Sequence, residues 1–221
     1  GQGLTGLVLG EAESAATLNY ALGAAPIAVA GDLVLGDLYL NVSGTPEFDT
    51  VYTVFTCTGD VDAEAWRKTA SSIAVDATHY LEFTVADGAA GAKELQFAVR
   101  SYTTVPLTLD SGEETLTEPF DIGEHAFLEV TVGEGAHLTL VGAVNGVSII
   151  KKGPGALTLG AANTLLRGLA QSDGKVTVAN AGALSAGGGE LTGGTLEFAV
   201  ATTLEKPFRI QPDNEAKAVI V

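Results

Sequence analysis

Between Gly146 and Val200 the chain reads GVSIIKKGPGALTLGAANTLLRGLAQSDGKVTVANAGALSAGGGELTGGTLEFAV. Short β-prone pieces (Val147–Ile150, Ala156–Leu159, Lys175–Val178 and Thr195–Val200) are separated by Gly, Asn, Ala and Ser. No apolar period of about 3.6 residues lasts long enough for an ordinary amphipathic helix. A chain with this rhythm winds in short strands and tight corners. In the best-ordered piece, Ala156, Thr158 and Gly160 point one way while Leu157 and Leu159 point the other, into a stack. The preceding Gly153-Pro154-Gly155 forms a corner that joins conformational freedom to a missing backbone donor.

The rest of the chain keeps the same habit. Residues 1–45 give Leu7–Leu9, Ala16–Leu22, Ile27–Val29, Asp32–Leu35 and Leu38–Val42, with Gly36-Asp37 as a corner between the last two. Val51–Thr56 alternates, and Asp60–Lys68 (DVDAEAWRK) is the one candidate for a helical turn. Tyr80–Val85 and Glu94–Val99 read as alternating strands around the turn Asp87–Gly91, a hairpin or a rung corner. Strands are also expected at Phe127–Val132 and His137–Val141. The octapeptide TLTEPFDI (Thr115–Ile122) returns as TLEKPFRI (Thr203–Ile210), 88 residues later. Self-similarity at a fixed offset marks a stacked architecture. At about 20–25 residues per coil, the offset spans about four coils.

Composition sets what such a stack can touch. The formal charge is −16, with 27 Asp and Glu against 11 Lys and Arg, which argues against nucleic acid and anionic lipid as partners. Aromatics are 6%, so the core is expected to be thin and filled by small and β-branched side chains. Cys57 has no second cysteine to pair with and reads as a small buried hydrophobe in YTVFTCT. No apolar run is long enough to span a bilayer, and no signal peptide is visible. The abrupt Gly1 and the strand-like run at Val221 suggest a piece of a longer chain, whose open strand edges would tend to pair end to end.

KKGPGALTLGAANT (Lys151–Thr164), then GKVTVANAGALS (Gly174–Ser185), then GGTLEFAV (Gly193–Val200) resembles the passenger-associated repeat of autotransporter-type surface proteins. Lys152, Gly153, Gly155, Leu157, Leu159, Asn163 and Thr164 fall on that pattern, as do Asn180, Gly182, Ala183 and Leu184. The copy departs at Leu165-Leu166-Arg167, where the family carries an aromatic and a Gly pair. YTVFTCTG (Tyr52–Gly59) looks like the run that closes such blocks. The resemblance implies a right-handed parallel β-helix: residues 1–100 as the β-rich end of one block, residues 101–221 as the start of the next, truncated at its C-terminus. A β-sandwich-like first half followed by coils is the alternative fold. Asn163 and Asn180 are expected at left-handed corners, stacked as side-chain ladders between coils.

No catalytic constellation emerges. His79, His125 and His137 share no metal-ligand spacing and read as rim residues. Trp66 reads as core or as a lid over one end of the stack, with sugar stacking as the minor reading. Residues 101–150 hold Asp110, Glu113, Glu114, Glu118, Asp121, Glu124, Glu129 and Glu134 with no Lys or Arg, a solvated face or, less well supported, a calcium site. The acidic run has no EF-hand loop. Glu113-Glu114 and Asp60-x-Asp62 are carboxylate pairs of the kind polar turns produce freely. Lys151-Lys152 is no phosphate loop, Gly187–Gly194 is a flexible corner, and Asn41-Val42-Ser43 fits a glycosylation triplet. The expectation is a non-catalytic, cofactor-free structural or adhesin-like passenger segment, extracellular or on a bacterial outer surface. Its partners would be neighbouring repeats of the parent chain and environmental or host glycans or proteins. A carbohydrate-binding or carbohydrate-degrading β protein is the alternative.

Overall fold

The computed structural model describes residues 6–9, 15–76, 78–185, 188–204, 206–211 and 218–221. The chain divides into two compact units, residues 1–101 and 102–221, each with a buried apolar cluster of its own.

In the second unit the chain feeds two parallel sheets alternately. One sheet takes, in order, Thr103–Leu109, Ala126–Val132, Val144–Lys152, Thr164–Gln171, Gly189–Leu191 and Phe208–Ile210, with Phe120–Asp121 paired beside Val144. The other takes Glu113–Leu116, His137–Leu140, Ala156–Leu159, Lys175–Val178, Gly194–Phe198 and Ala218–Ile220. Register shows the winding. Leu128 pairs with Ile149, Ile149 with Leu169, Leu169 with Gly189 and Gly189 with Phe208, so successive turns take 21, 20, 20 and 19 residues. This is a β-solenoid, a parallel β-helix, of about nine turns counted over both units.

The winding turns the period-2 pattern of each strand into axial columns. Leu138, Leu157, Val176 and Leu196 form one inner column; Leu140, Leu159, Val178 and Phe198 form the next. All but Phe198 are buried, while Ala156 and Thr158 between them are only half-buried, as their alternation predicts. Backbone crowding excludes side chains at some of the corners. Gly174 has φ of 70°, and a Cβ there would fall 2.3 Å from Gly155 O.

The repeated octapeptides lie at the same corner, four turns apart, where the chain passes from the second sheet to the first. Leu116, Phe120, Leu204 and Phe208 all pack against the core. They do not share one column. Leu116 pairs with Leu140 and its column runs through Leu159 and Val178 to Phe198, 82 residues on, and a longer corner takes up the other six. Glu205 in the second copy lies outside the described residues.

Asn163 and Asn180 depart from expectation, since neither has a positive φ. The Asn163 amide accepts from Val144 N at 2.8 Å and donates to Ala183 O at 2.6 Å, tying three turns together. Asn180 accepts from Gly182 N at 2.9 Å in a local turn. Side-chain hydrogen bonds take the place of a left-handed conformation at both asparagines, and the left-handed residue of the second corner is Ser185, with φ of 54°. A ladder between asparagines does occur in the first unit, where Asn41 Nδ2 donates to Asn19 Oδ1 at 2.7 Å.

The first unit begins in the same style, with Ala16–Ala21, Leu38–Ser43 and Ala70–Ser71 in one parallel sheet and Leu7–Leu9 paired with Leu33–Leu35. It then changes. Val51–Cys57 pairs parallel with Ile27–Val29 on one side and antiparallel with Lys93–Ser101 on the other, and Lys93–Ser101 closes a hairpin with His79–Asp87. Residues 51–101 therefore leave the plain coil pattern. Trp66 sits in this unit's core with no exposed surface, edge-on to Phe55 and Phe83, its indole N–H donating to Thr84 O and Gln96 O at 3.0 Å each. Its short helix, Ala63–Arg67, is capped by Asp62, which accepts from Glu64 N and Ala65 N.

Gly174→Ala should destabilise the chain by about 2 kcal/mol or more, since it adds both a left-handed strain and a backbone clash. Urea unfolding monitored by circular dichroism measures this; an unchanged midpoint would show that the corner has room.

Candidate functional site

Most of the residues that sequence pattern singles out are taken up by local partners. His125 sits 3.6 Å from Glu124, and His137 Nε2 lies 2.8 Å from Thr158 Oγ1 on the outer face of the second sheet. Glu113 and Glu114 are exposed on the outermost strand of that sheet, and Glu129 pairs with Lys152 at 2.8 Å. Asp121 accepts from Gly123 N and Asn145 Nδ2, both at 3.2 Å. Asp60 donates its backbone N–H to Asp32 Oδ1 at 2.9 Å, and Asp62 is the helix cap already described. Cys57 is buried, with its thiol against Gly31 O at 2.8 Å. Among the described residues no three His, Cys, Asp or Glu side chains come together at metal-binding spacing.

Two arrangements are chemically unusual. The first is inside the solenoid, on the column Leu107, Val130, Lys151, Gln171, Leu191, Ile210. Four of those positions are aliphatic and two are polar. Lys151 has no exposed surface and Gln171 is 2% exposed. Lys151 Nζ donates to Lys152 O at 2.8 Å and Gly153 O at 2.6 Å, while Gln171 Nε2 donates to Gly174 O and Thr195 O at 3.1 Å each. Gln171 Oε1 has no hydrogen-bond partner among the described residues. Burial pushes the Lys151 ammonium down to about 8, and the Asp173 carboxylate only partly opposes this. Alternation carried the signal: Val147, Ile149 and Lys151 share one parity, so the strand delivers the lysine inward.

The second lies in the first unit, in a cleft of about 360 Å³ lined by Thr45, Pro46, Phe48, Ile73, Ala74, Val75, Asp76, His79 and Val99. His79 Nδ1 lies 2.7 Å from Asp76 Oδ1, and Thr78 donates to the same carboxylate from its backbone and its hydroxyl at 2.8 Å. The His79 hydrogen bond, then the two from Thr78, hold the Asp76 carboxyl down to about 2. The Phe48 ring stacks on His79 with centroids 4.0 Å apart and planes 8° from parallel. Sequence reasoning missed Phe48, although a lone aromatic between acids in the turn Thr45-Pro46-Glu47-Phe48-Asp49 is an unusual composition. A larger and more open groove, about 750 Å³, runs past Asp37, Tyr39, Asp62, Glu64 and Lys68, where Lys68 is tied to Glu64 at 2.6 Å.

No protein-family model, no curated protein and no solved structure matches the chain.

Two titrations follow from these geometries. Lys151 holds its proton less tightly folded than unfolded, so the cost of burying the charge is present below pH about 8 and is relieved as pH rises to about 10.5. Relative to Lys151→Met, the protein should gain up to about 3 kcal/mol over that window in urea unfolding; a constant difference would contradict a buried ammonium. Asp76 runs the opposite way. Its stabilisation is present above 3.8 and lost as pH falls through about 2, so its carboxyl resonance should titrate well below 3.8. A midpoint at or above 3.8 would contradict the clamp.

Proposed function

We propose that the chain is a non-catalytic structural or adhesin-like segment of a large bacterial surface or secreted repeat protein. The observation that carries this reading is the column packing of the second unit. Apart from Lys151 and Gln171, its inner positions are filled turn after turn mainly by Leu and Val, so the side-chain chemistry of the strands serves axial stacking. The likeness of Lys151–Ser185 to passenger-associated repeats supports the same assignment, with further coils of the parent chain as its immediate partners. The acidic surface, −16 in formal charge, suits a solvated exterior and disfavours nucleic acid.

Antibodies raised against the chain should label intact cells of the producing organism, or its culture fluid, and external protease should remove the cell label. Label that appears only after lysis overturns the surface assignment. Incubation with a panel of plant, microbial and host polysaccharides should release no oligosaccharide; release of one overturns the non-catalytic assignment.

A further inference from the structure

A scaffold needs no ligand cleft, yet the first unit holds an aromatic ring rigidly outside its core. Phe48 is 60% exposed, the most exposed aromatic among the described residues. It is nevertheless fixed from three directions. One ring face lies flat on His79. Its backbone pairs with Val99, and the next residue, Asp49, donates its N–H to Val99 O at 2.8 Å. Asp49 itself adopts φ of 59°, in the left-handed region that favours glycine. Arg100 holds it there, donating Nη1 to Asp49 O at 3.2 Å while its Nε donates to Glu82 at 3.1 Å. Glu47 N donates to the Tyr52 hydroxyl at 3.0 Å, anchoring the loop on its other side. Strain, an ion-paired clamp and an exposed ring thus meet in one short loop, without burying that ring.

We propose that the Phe48–His79 cleft binds a neutral sugar ring, its C–H face stacked on Phe48 and its hydroxyls held by Asp76, His79 and Thr45. The size fits one ring: about 360 Å³ lies at the lower end of small-molecule sites. Pro46, Ile73, Val75 and Val99 supply apolar wall, and the Asp76–His79 end supplies oriented acceptors and donors. Charge narrows the class. Asp76 lines the cleft, and Glu47 and Asp49 flank Phe48 in the chain, which disfavours sulfated, phosphorylated or uronic sugars. Asp49 is already matched by Arg100, and Asp76 by His79 and Thr78, so the mouth offers hydrogen-bond acceptors rather than an open charge pair for an amine. A rigid aromatic platform also binds at low entropic cost. The proposal goes beyond the structural assignment, and a surface segment without any sugar site would leave that assignment intact.

The test applies the whole 221-residue chain to an array of neutral and acidic glycans and of basic peptides, followed by calorimetric titration of the hits. Neutral glycans are expected to bind. Phe48→Ala and Phe48→Leu should each weaken binding at least about tenfold, Phe48→Trp should keep it, and Tyr39→Ala in the other groove should leave it unchanged. Added sugar should shift the His79 ring resonances, a readout independent of any variant's folding. The proposal is overturned by hits confined to acidic glycans or basic peptides, or by binding that survives Phe48→Leu and is lost in Tyr39→Ala. Absence of any neutral-sugar binding at concentrations on the order of 10 mM overturns it as well.

Discussion

Everything in the second unit depends on the axial ladder that pairs each strand with the strand one turn later. Parallel pairing fixes register, and with 19–21 residues per turn over its middle it places residue under residue along each column. A column is therefore the unit of packing. Its members touch one another along the axis, and a change at one position is felt first by the residues directly above and below. Glycine at the crowded corners follows from the same constraint, because successive turns pass too closely there to admit a Cβ. The first strand of each sheet, Thr103–Leu109 and Glu113–Leu116, carries Pro106 and the pair Glu113-Glu114 respectively, residues that disfavour pairing at a strand edge.

Much of this was legible because a two-residue period and a corner composition are local signals. Leu157 and Leu159 inside, Ala156 and Thr158 outside, Trp66 in the core, the helical turn after Asp62 and the hairpin around Asp87–Gly91 all follow from neighbours in sequence. What failed required knowledge of the next turn. Asn163 looks like a left-handed corner residue in isolation; its real partners, Val144 N and Ala183 O, are about one turn away on either side. The octapeptide offset of 88 identified the right number of turns, but corners of unequal length broke the register, which no local pattern reports.

Lys151 shows the same limit more sharply. Read locally, Lys151-Lys152 is a charged pair before a glycine corner. Alternation sends Lys152 outward to Glu129 and Lys151 inward, and only the column shows that its neighbours are Val130 and the equally polar Gln171. A buried ammonium persists there because the Lys152 and Gly153 carbonyls turn toward it at the corner, compensating part of the desolvation. Polar groups inside a solenoid are thus admitted where a corner lends its carbonyls.

The candidate cleft obeys a different rule. In the coils of the second unit, side chains on the strands are committed largely to a column or to the solvent. Residues 51–101 escape that commitment by turning antiparallel, which frees the loops around Phe48 and Asp76 from the pitch of the ladder. The exposed Phe48, the strained Asp49, the Arg100 clamp and the Asp76–His79 pair all lie in this unit, near its antiparallel ladder. The first unit is where this chain interrupts the regular parallel ladder, and the cleft proposed to hold a sugar ring lies in that unit.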